Sequence, residues 1–329
     1  MIRARKSDAE RGAALITALM VVAFMAAVSV SLVETMRSHL QRTGAIEDRL
    51  QATAYLDGAV SYGEMLIARF AGGADQRFTP AGPWDGEVRA FPLENGEMAA
   101  RVRDRNNCLN INALHSSAGD DEASRLAAAR MRSLLAALGV APGDAEALIA
   151  QAADWIDADR TPRPGGAEDD PYLARPEPFR AANQPFAELS ELRLLPVMNR
   201  ALYMRVEPYL CALPAATQPP LNVNTLRSDE AVLITAITEG AVSLQAAEQA
   251  LFRRPTTGFD SLEVFWADPV FSHIGADARP AGAVALRSEW FELHVRVRLG
   301  ETRLSRIQTV RMDQAGRFSR LTPLQGAVW

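Results

Sequence analysis

From Ala13 to Val33 the run AALITALMVVAFMAAVSVSLV carries no charged side chain. As a helix at 1.5 Å per residue it is about 31 Å long, one hydrocarbon core thick. Beyond it polarity becomes one-sided: Leu56, Val60, Gly63, Ile67 and Phe70 recur at three- and four-residue steps, while Arg49, Asp57, Glu64 and Arg69 fall elsewhere. Gly72-Gly73 ends the pattern. The expectation is one helix over 13–71, on the order of 88 Å long, half of which needs lipid or sister subunits. Spacing is less regular over 40–55, and Gly44 marks a candidate bend.

A period of two replaces this pattern at Met98, Ala100 and Val102, and again at Phe291, Leu293, Val295, Val297 and Leu299, where Glu292, His294, Arg296 and Arg298 take the polar side. His294 is thereby expected on the surface. After a turn at Gly300-Glu301, strands follow over 303–312 and 317–321, and a phase slip between Ile307 and Val310 predicts a bulge. The stretch between is helix-rich: 120–138, 144–156, then shorter helices near 188–194, 199–205, 228–239, 243–253 and 260–266. An α+β chain follows, with a long N-terminal helix, 72–114 and 281–329 supplying an antiparallel sheet, and an α-helical domain inserted over 115–280.

At 329 residues, 48% apolar and 23% charged, the chain is neither disordered nor multi-spanning. A net charge of −5 makes any nucleic-acid grip local. Lys6 is the one lysine, which excludes a Schiff-base or P-loop lysine downstream, and G-x-S-x-G and H-E-x-x-H are absent. His39, His115, His273 and His294 are scattered. No enzyme, catalytic residue or organic cofactor is expected.

Ahead of the apolar run stands MIRARKSDAERG, in which Arg3, Arg5, Lys6 and Arg11 outnumber Asp8 and Glu10, so the leader stays cytoplasmic and the rest crosses. The small-residue cut, Gly12-Ala13, precedes the apolar core rather than following it. This order resembles the class III signal of type IV pilins and type II secretion pseudopilins; a plain signal anchor is the alternative. The resemblance implies removal of residues 1–12 by a prepilin peptidase, methylation of the new terminus and a single-pass inner-membrane helix with the bulk of the chain in the periplasm. Counting from Ala13, the fifth residue is Thr17, where most of that family carries glutamate. A carboxylate in lipid is costly unless paired, so a subunit without it suits the end of a filament.

In DWIDADRTPRPGGAEDDPYL, residues 154–173, Asp154, Asp157, Asp159, Glu168, Asp169 and Asp170 crowd a loop kept non-helical by Pro162, Pro164, Gly165 and Gly166. Several carboxylates on flexible backbone suit calcium, with Asp157, Asp159, Glu168, Asp169 and Asp170 as candidate ligands; a solvated acidic loop is the other reading. The spacing is not that of an EF-hand.

LNINAL (109–114), DWIDAD, GAEDDPYL, PFRAANQPFAELSELRLLP (178–196) and LNVNT (221–225), in this order after a class III leader, resemble the general secretion pathway protein K family, the large minor pseudopilins of type II secretion. The resemblance covers about 11–312. It implies a pilin fold with an inserted α-domain, calcium, and a place at the pseudopilus tip beside other minor pseudopilins, above the major pseudopilin. A related type IV filament or DNA-uptake machine is the alternative, since 188–210 and 221–254 resemble helix-hairpin-helix repeats. The hairpins LPVMN and TEGAVS lack the paired glycines that would face a phosphate, so nucleic acid is not an expected partner.

Cys108 and Cys211 are the two cysteines. Export would place them in an oxidising space, where a bridge would clamp the ends of the α-domain; two buried thiols are the alternative.

Overall fold

In a computed structural model the described residues are 8–71, 78–115, 122–322 and 324–325. Most of the cationic leader and Gly72-Gly73 lie outside them. Helix α1 spans Asp8–Ala71 and runs through Gly44 without interruption. Its two halves live in different surroundings. Leu15, Leu19, Phe24, Leu32 and Leu40 are exposed along the outer half, whereas Ala52, Leu56, Val60 and Ile67 are buried against a sheet. Gly63 sets how close that sheet comes: a Cβ there would lie 1.9 Å from a Leu293 side-chain carbon.

The sheet contains β1 (Arg89–Leu93), β2 (Gly96–Asp104), β7 (Trp290–Leu299), β8 (Thr302–Met312), β9 (Phe318–Arg320) and β10 (Leu324–Gln325), in the order β1-β2-β7-β8-β10 with β9 also on β8. All its pairs are antiparallel. Register between β7 and β8 is unbroken from Trp290↔Arg311 to Leu299↔Thr302, so the expected bulge is not there. The phase slip has another cause: Arg306 and Gln308 occupy the inner face among Leu304, Val310 and Met312. Each has a polar partner, Arg306 Nη1 in Asp57 of α1 and Gln308 Nε2 in the Leu321 carbonyl at 2.5 Å.

Strands β2 and β7 are sheet neighbours, yet residues 105–289 separate them in sequence. Exit and return thus lie outside the 115–280 boundaries read from the sequence. This insertion holds α2 (Glu122–Ala137), α3 (Pro142–Ile156), α4 (Asp169–Leu173), α5 (Arg200–Val206), α6 (Val232–Ile237), α7 (Leu244–Phe252) and α8 (Leu262–Trp266) around one large apolar core. Two small parallel pairs brace it: β3 (Leu109–Asn110) with β4 (Leu210–Cys211), and β5 (Leu221–Asn222) with β6 (Val284–Ala285). Proline at the first helical turn starts α3, and side-chain caps from Asn199, Ser243 and Ser261 start α5, α7 and α8.

The two asparagine-rich motifs do the same work twice. Asn112 Oδ1 accepts from Phe186 N at 2.8 Å while its Nδ2 donates to the Phe186 and Leu213 carbonyls at 2.9 Å each. Asn224 Oδ1 accepts from Phe259 N at 2.7 Å, and its Nδ2 donates to the Phe78 and Phe259 carbonyls at 3.0 and 3.1 Å. Each buried amide takes the place of a backbone pairing partner for a distant loop.

A polar seam joins insertion to sheet. Asn106 Oδ1 accepts from Glu289 N and Trp290 N at 3.0 and 2.9 Å, and Arg105 N donates to the Trp290 carbonyl at 2.8 Å. Asp104, buried, accepts from Thr225 Oγ1 at 2.5 Å, from Ser288 Oγ and from Asn106 N at 2.9 Å. Burial raises its pKa to about 6 despite these donors. Cys108 and Cys211 are joined in a disulfide at this seam, Cα to Cα 5.8 Å.

Candidate functional site

The acidic stretch starts inside α3 and ends inside α4, so its loop proper is 157–168. The final turn of α3 brings Asp154 and Trp155 into the core, and Asp157 caps the helix with its N–H donating to the Ala153 carbonyl at 3.0 Å. The loop then folds back over α3. Gly166 permits this return, since a Cβ there would sit 1.9 Å from Asp154 Oδ2. Glu168 follows at the start of α4.

This return brings Asp157, Asp159 and Glu168 together, with one carboxylate oxygen from each lying within 4.8 Å of the others. Asp157 and Glu168 are buried and Asp159 is exposed. The other two candidates lie apart. Asp169 turns to Arg180 Nη1 at 2.5 Å and accepts from Ala181 N at 3.2 Å, while Asp170 is exposed in the first turn of α4. Asp154 joins the centre instead: Arg163 Nη1 reaches Asp154 Oδ1 at 2.7 Å and also pairs with Asp157.

One guanidinium therefore serves two of four carboxylates. Asp157 Oδ1 and both Glu168 oxygens are buried with no hydrogen-bond partner among the described residues. Beneath them lies an aromatic floor, with Trp155 and Tyr172 at 5.4 Å and Trp155 and Phe186 stacked at 5.8 Å. The Tyr172 hydroxyl is also unpartnered, and burial pushes its pKa upward. Burial first, then the neighbouring Asp154 and Asp157, lifts Glu168 to about 7. Burial likewise raises Asp154. The three buried carboxylate oxygens without a hydrogen-bond partner, beside the exposed Asp159, are hard donors of the kind a divalent cation takes. Asp157, Asp159 and Glu168 could hold such an ion, with Asp154 behind them.

Thr17, the position singled out on α1, turns its hydroxyl back into its own helix, donating to the carbonyls of Ala13 at 3.1 Å and Ala14 at 2.9 Å. It asks nothing of a neighbour. His294, expected at the surface, is buried because the insertion covers the outer face of the sheet; its Nε2 donates to Glu292 Oε2 at 2.7 Å. The asparagines 112 and 224 were visible only as motifs. Their repeated L-N-x-N spelling was the available signal, and its partners Phe186 and Phe259 lie too far along the chain to be paired by inspection.

Models of the family described as type II secretion system (T2SS), protein K match residues 107–215 and 221–287. The chain is 34% identical to the type II secretion system protein K of Klebsiella pneumoniae over 97% of its own length and 98% of that protein. It is equally similar, at 34%, to that of Pectobacterium carotovorum subsp. carotovorum, over 89% and 90%. Among solved structures, the crystal structure of the GspK-GspI-GspJ complex from the enterotoxigenic Escherichia coli type 2 secretion system contains a chain that superposes with a TM-score of 0.76 at 28% identity. The alignment covers 87% of this chain and all of that one.

Proposed function

The chain belongs to the type II secretion system protein K family, and from that premise we propose that it is the minor pseudopilin that caps the tip of the secretion pseudopilus. Its partners there are other minor pseudopilins, of the kind that the GspK-GspI-GspJ complex holds together. The insertion is the observation that carries this reading. Residues 105–289 project from between two adjacent strands of the domain that sits on α1. A filament of parallel long helices repeats at about the 10 Å diameter of one helix, which leaves no room for such a body on every subunit. At an end there is room.

Three further features support the reading. The outer half of α1 is apolar and exposed over the length of a membrane span, a single-pass anchor. The arginines ahead of it favour a cytoplasmic leader, hence an inner-membrane protein with a periplasmic head cleaved between Gly12 and Ala13 by prepilin peptidase. Thr17, bonded within its own helix, leaves no carboxylate waiting for a subunit above. Calcium at Asp157, Asp159 and Glu168 would hold the loop 157–168 closed on α3, supplying charge neutralisation and no chemistry; the protein's role is structural.

Immunogold labelling of sheared pseudopili is expected to mark one end only. Label along the shaft would overturn the tip assignment. In the same cells, mass spectrometry of the extracted protein is expected to show loss of twelve residues, and only where prepilin peptidase is active.

A further inference from the structure

Arg163 stands at the corner of a tight turn. Its carbonyl accepts from Gly166 N at 2.8 Å, Pro164 follows it, and Gly165 takes a φ of 80°, the arrangement of a type II turn with proline and glycine at the two central positions. The Arg163 N–H donates to Asp154 Oδ2 at 3.2 Å, and Gln151 Nε2 of α3 donates to the Gly165 carbonyl at 3.4 Å. Backbone geometry therefore fixes where this side chain begins, independently of its charge. The guanidinium then reaches Asp154 Oδ1 at 2.7 Å and Asp157 Oδ2.

Asp157 is thereby divided. Its Oδ2 belongs to the arginine, while its Oδ1 is buried with no hydrogen-bond partner among the described residues, as are both oxygens of Glu168. Asp159 is held in place separately: its Oδ1 accepts from Thr161 N at 2.8 Å, and its carbonyl accepts from Asn183 Nδ2 at 2.7 Å. Neighbouring cations point elsewhere. Arg180 pairs with Asp169 at 2.5 Å, Arg175 Nη2 donates to the Leu194 carbonyl at 2.6 Å, and Arg160 is exposed. Arg163 is the guanidinium that meets the centre formed by Asp154, Asp157, Asp159 and Glu168.

We propose that Arg163 is a tethered counter-cation of this centre, one that closes loop 157–168 on α3 when no divalent ion is bound and holds down the affinity for calcium when one is offered. The proposal rests on calcium being held by Asp157, Asp159 and Glu168. Asp157 would then serve two positive charges at once, and these repel each other across a partly buried site where screening is weak. Removing the guanidinium acts oppositely on the two states. The protein without calcium loses the charge that pairs with Asp154 and Asp157, whereas the protein with calcium loses a repulsion. An arginine that merely positioned the ligands would, when removed, weaken both.

The test is isothermal titration of calcium chloride into chelator-stripped, full-length protein in detergent micelles, paired with thermal melts in EGTA and in saturating calcium. Arg163→Gln keeps the turn and removes the charge. It is expected to bind calcium about tenfold tighter than the unsubstituted protein, and to melt several degrees lower in EGTA with the deficit closing in saturating calcium. Arg163→Lys keeps the charge and is expected to stay within about twofold in affinity. Unchanged or weaker binding by Arg163→Gln, while the unsubstituted protein binds, overturns the role of Arg163 and leaves calcium at the site. No saturable binding by the unsubstituted protein, with Glu168→Gln responding identically to calcium, overturns both. Should Arg163→Gln fail to fold in EGTA, it is prepared in calcium and its affinity read by back-titration with the chelator; a gain of about tenfold in Arg163→Lys also overturns the proposal.

Discussion

Residues 109–114 and 221–226 open the two halves of the insertion with the same device, a buried asparagine whose amide pairs with the backbone of a phenylalanine far downstream. The routes to that phenylalanine differ. In the second half α7 ends at Phe252 and Phe259 follows almost at once; in the first, α3 ends at Ile156 and the chain runs through 157–185 before Phe186 arrives. All of the acidic loop lies in that extra length. Only the first half is tied at its ends by the disulfide, Cys108 before its motif and Cys211 after its last helix. A repeated scaffold carries the load, and the added chemistry sits where one copy departs from the other. The departing copy is the one that is stapled.

Opening the staple is the largest expected way to break this asymmetry. The bridge closes a loop of 103 residues, and replacing both cysteines by alanine is expected to cost about 4 kcal/mol in urea unfolding under oxidising conditions, by loss of chain-entropy restriction. Limited proteolysis should then cut first within 107–215. Early cutting in 221–287 instead would show that the staple holds the seam as a whole rather than one half.

Next come the asparagines. Asn112→Ala and Asn224→Ala each strand backbone groups at buried sites and are each expected to cost about 3 kcal/mol, nearly equally, with a similar loss of urea midpoint. If one proves tolerant, the two halves do not share a mechanism. Calcium separates them further. At a hundredfold excess over its dissociation constant it is expected to add about 2.7 kcal/mol by binding only the native state, an increment that Glu168→Gln abolishes and Asn224→Ala leaves intact. Identical melting with and without a chelator would leave 157–168 without its assigned role.

The smallest effect belongs to the seam between insertion and sheet. Asp104 is held by Thr225 and Ser288, and its pKa stands near 6 against about 3.8 unfolded. The folded state thus holds its proton to higher pH, so this contribution to stability is complete below about 4 and lost as pH rises through 6. Thermal midpoints at pH 5 and pH 7.5 are expected to differ by a few degrees, and Asp104→Asn to shrink that difference to the share left by Glu168, whose carboxyl is raised to about 7.

Much of this was legible in the sequence because periodicity reports burial directly. The stripe Leu56, Val60, Gly63, Ile67 marked the packed half of α1, and the alternation at 291–299 marked β7. What escaped was whatever depends on a distant partner. Arg306 and Gln308 looked like a register slip because their partners lie on other elements, Asp57 on α1 and Leu321 beyond β9. His294 looked exposed because nothing local announces that the insertion covers its face. The acidic loop was plain, yet which carboxylates meet was set by the return at Gly166 and by α4, whose first turn carries Asp169 toward Arg180. Spacing along a loop does not determine convergence.

The adjacency of β2 and β7 also constrains the order of events when the chain first folds. Strand β2 emerges from synthesis long before β7, and direct pairing would close a loop spanning 105–289, an entropic cost that slows nucleation. The insertion contains its own core and needs neither strand to form it. Once it has collapsed, Arg105 and Trp290 are already hydrogen-bonded neighbours and the long loop has become a short one. Formed first, the insertion would let β2 and β7 pair from the seam outward, where Arg105 N donates to the Trp290 carbonyl, and would give α1 its sheet afterwards.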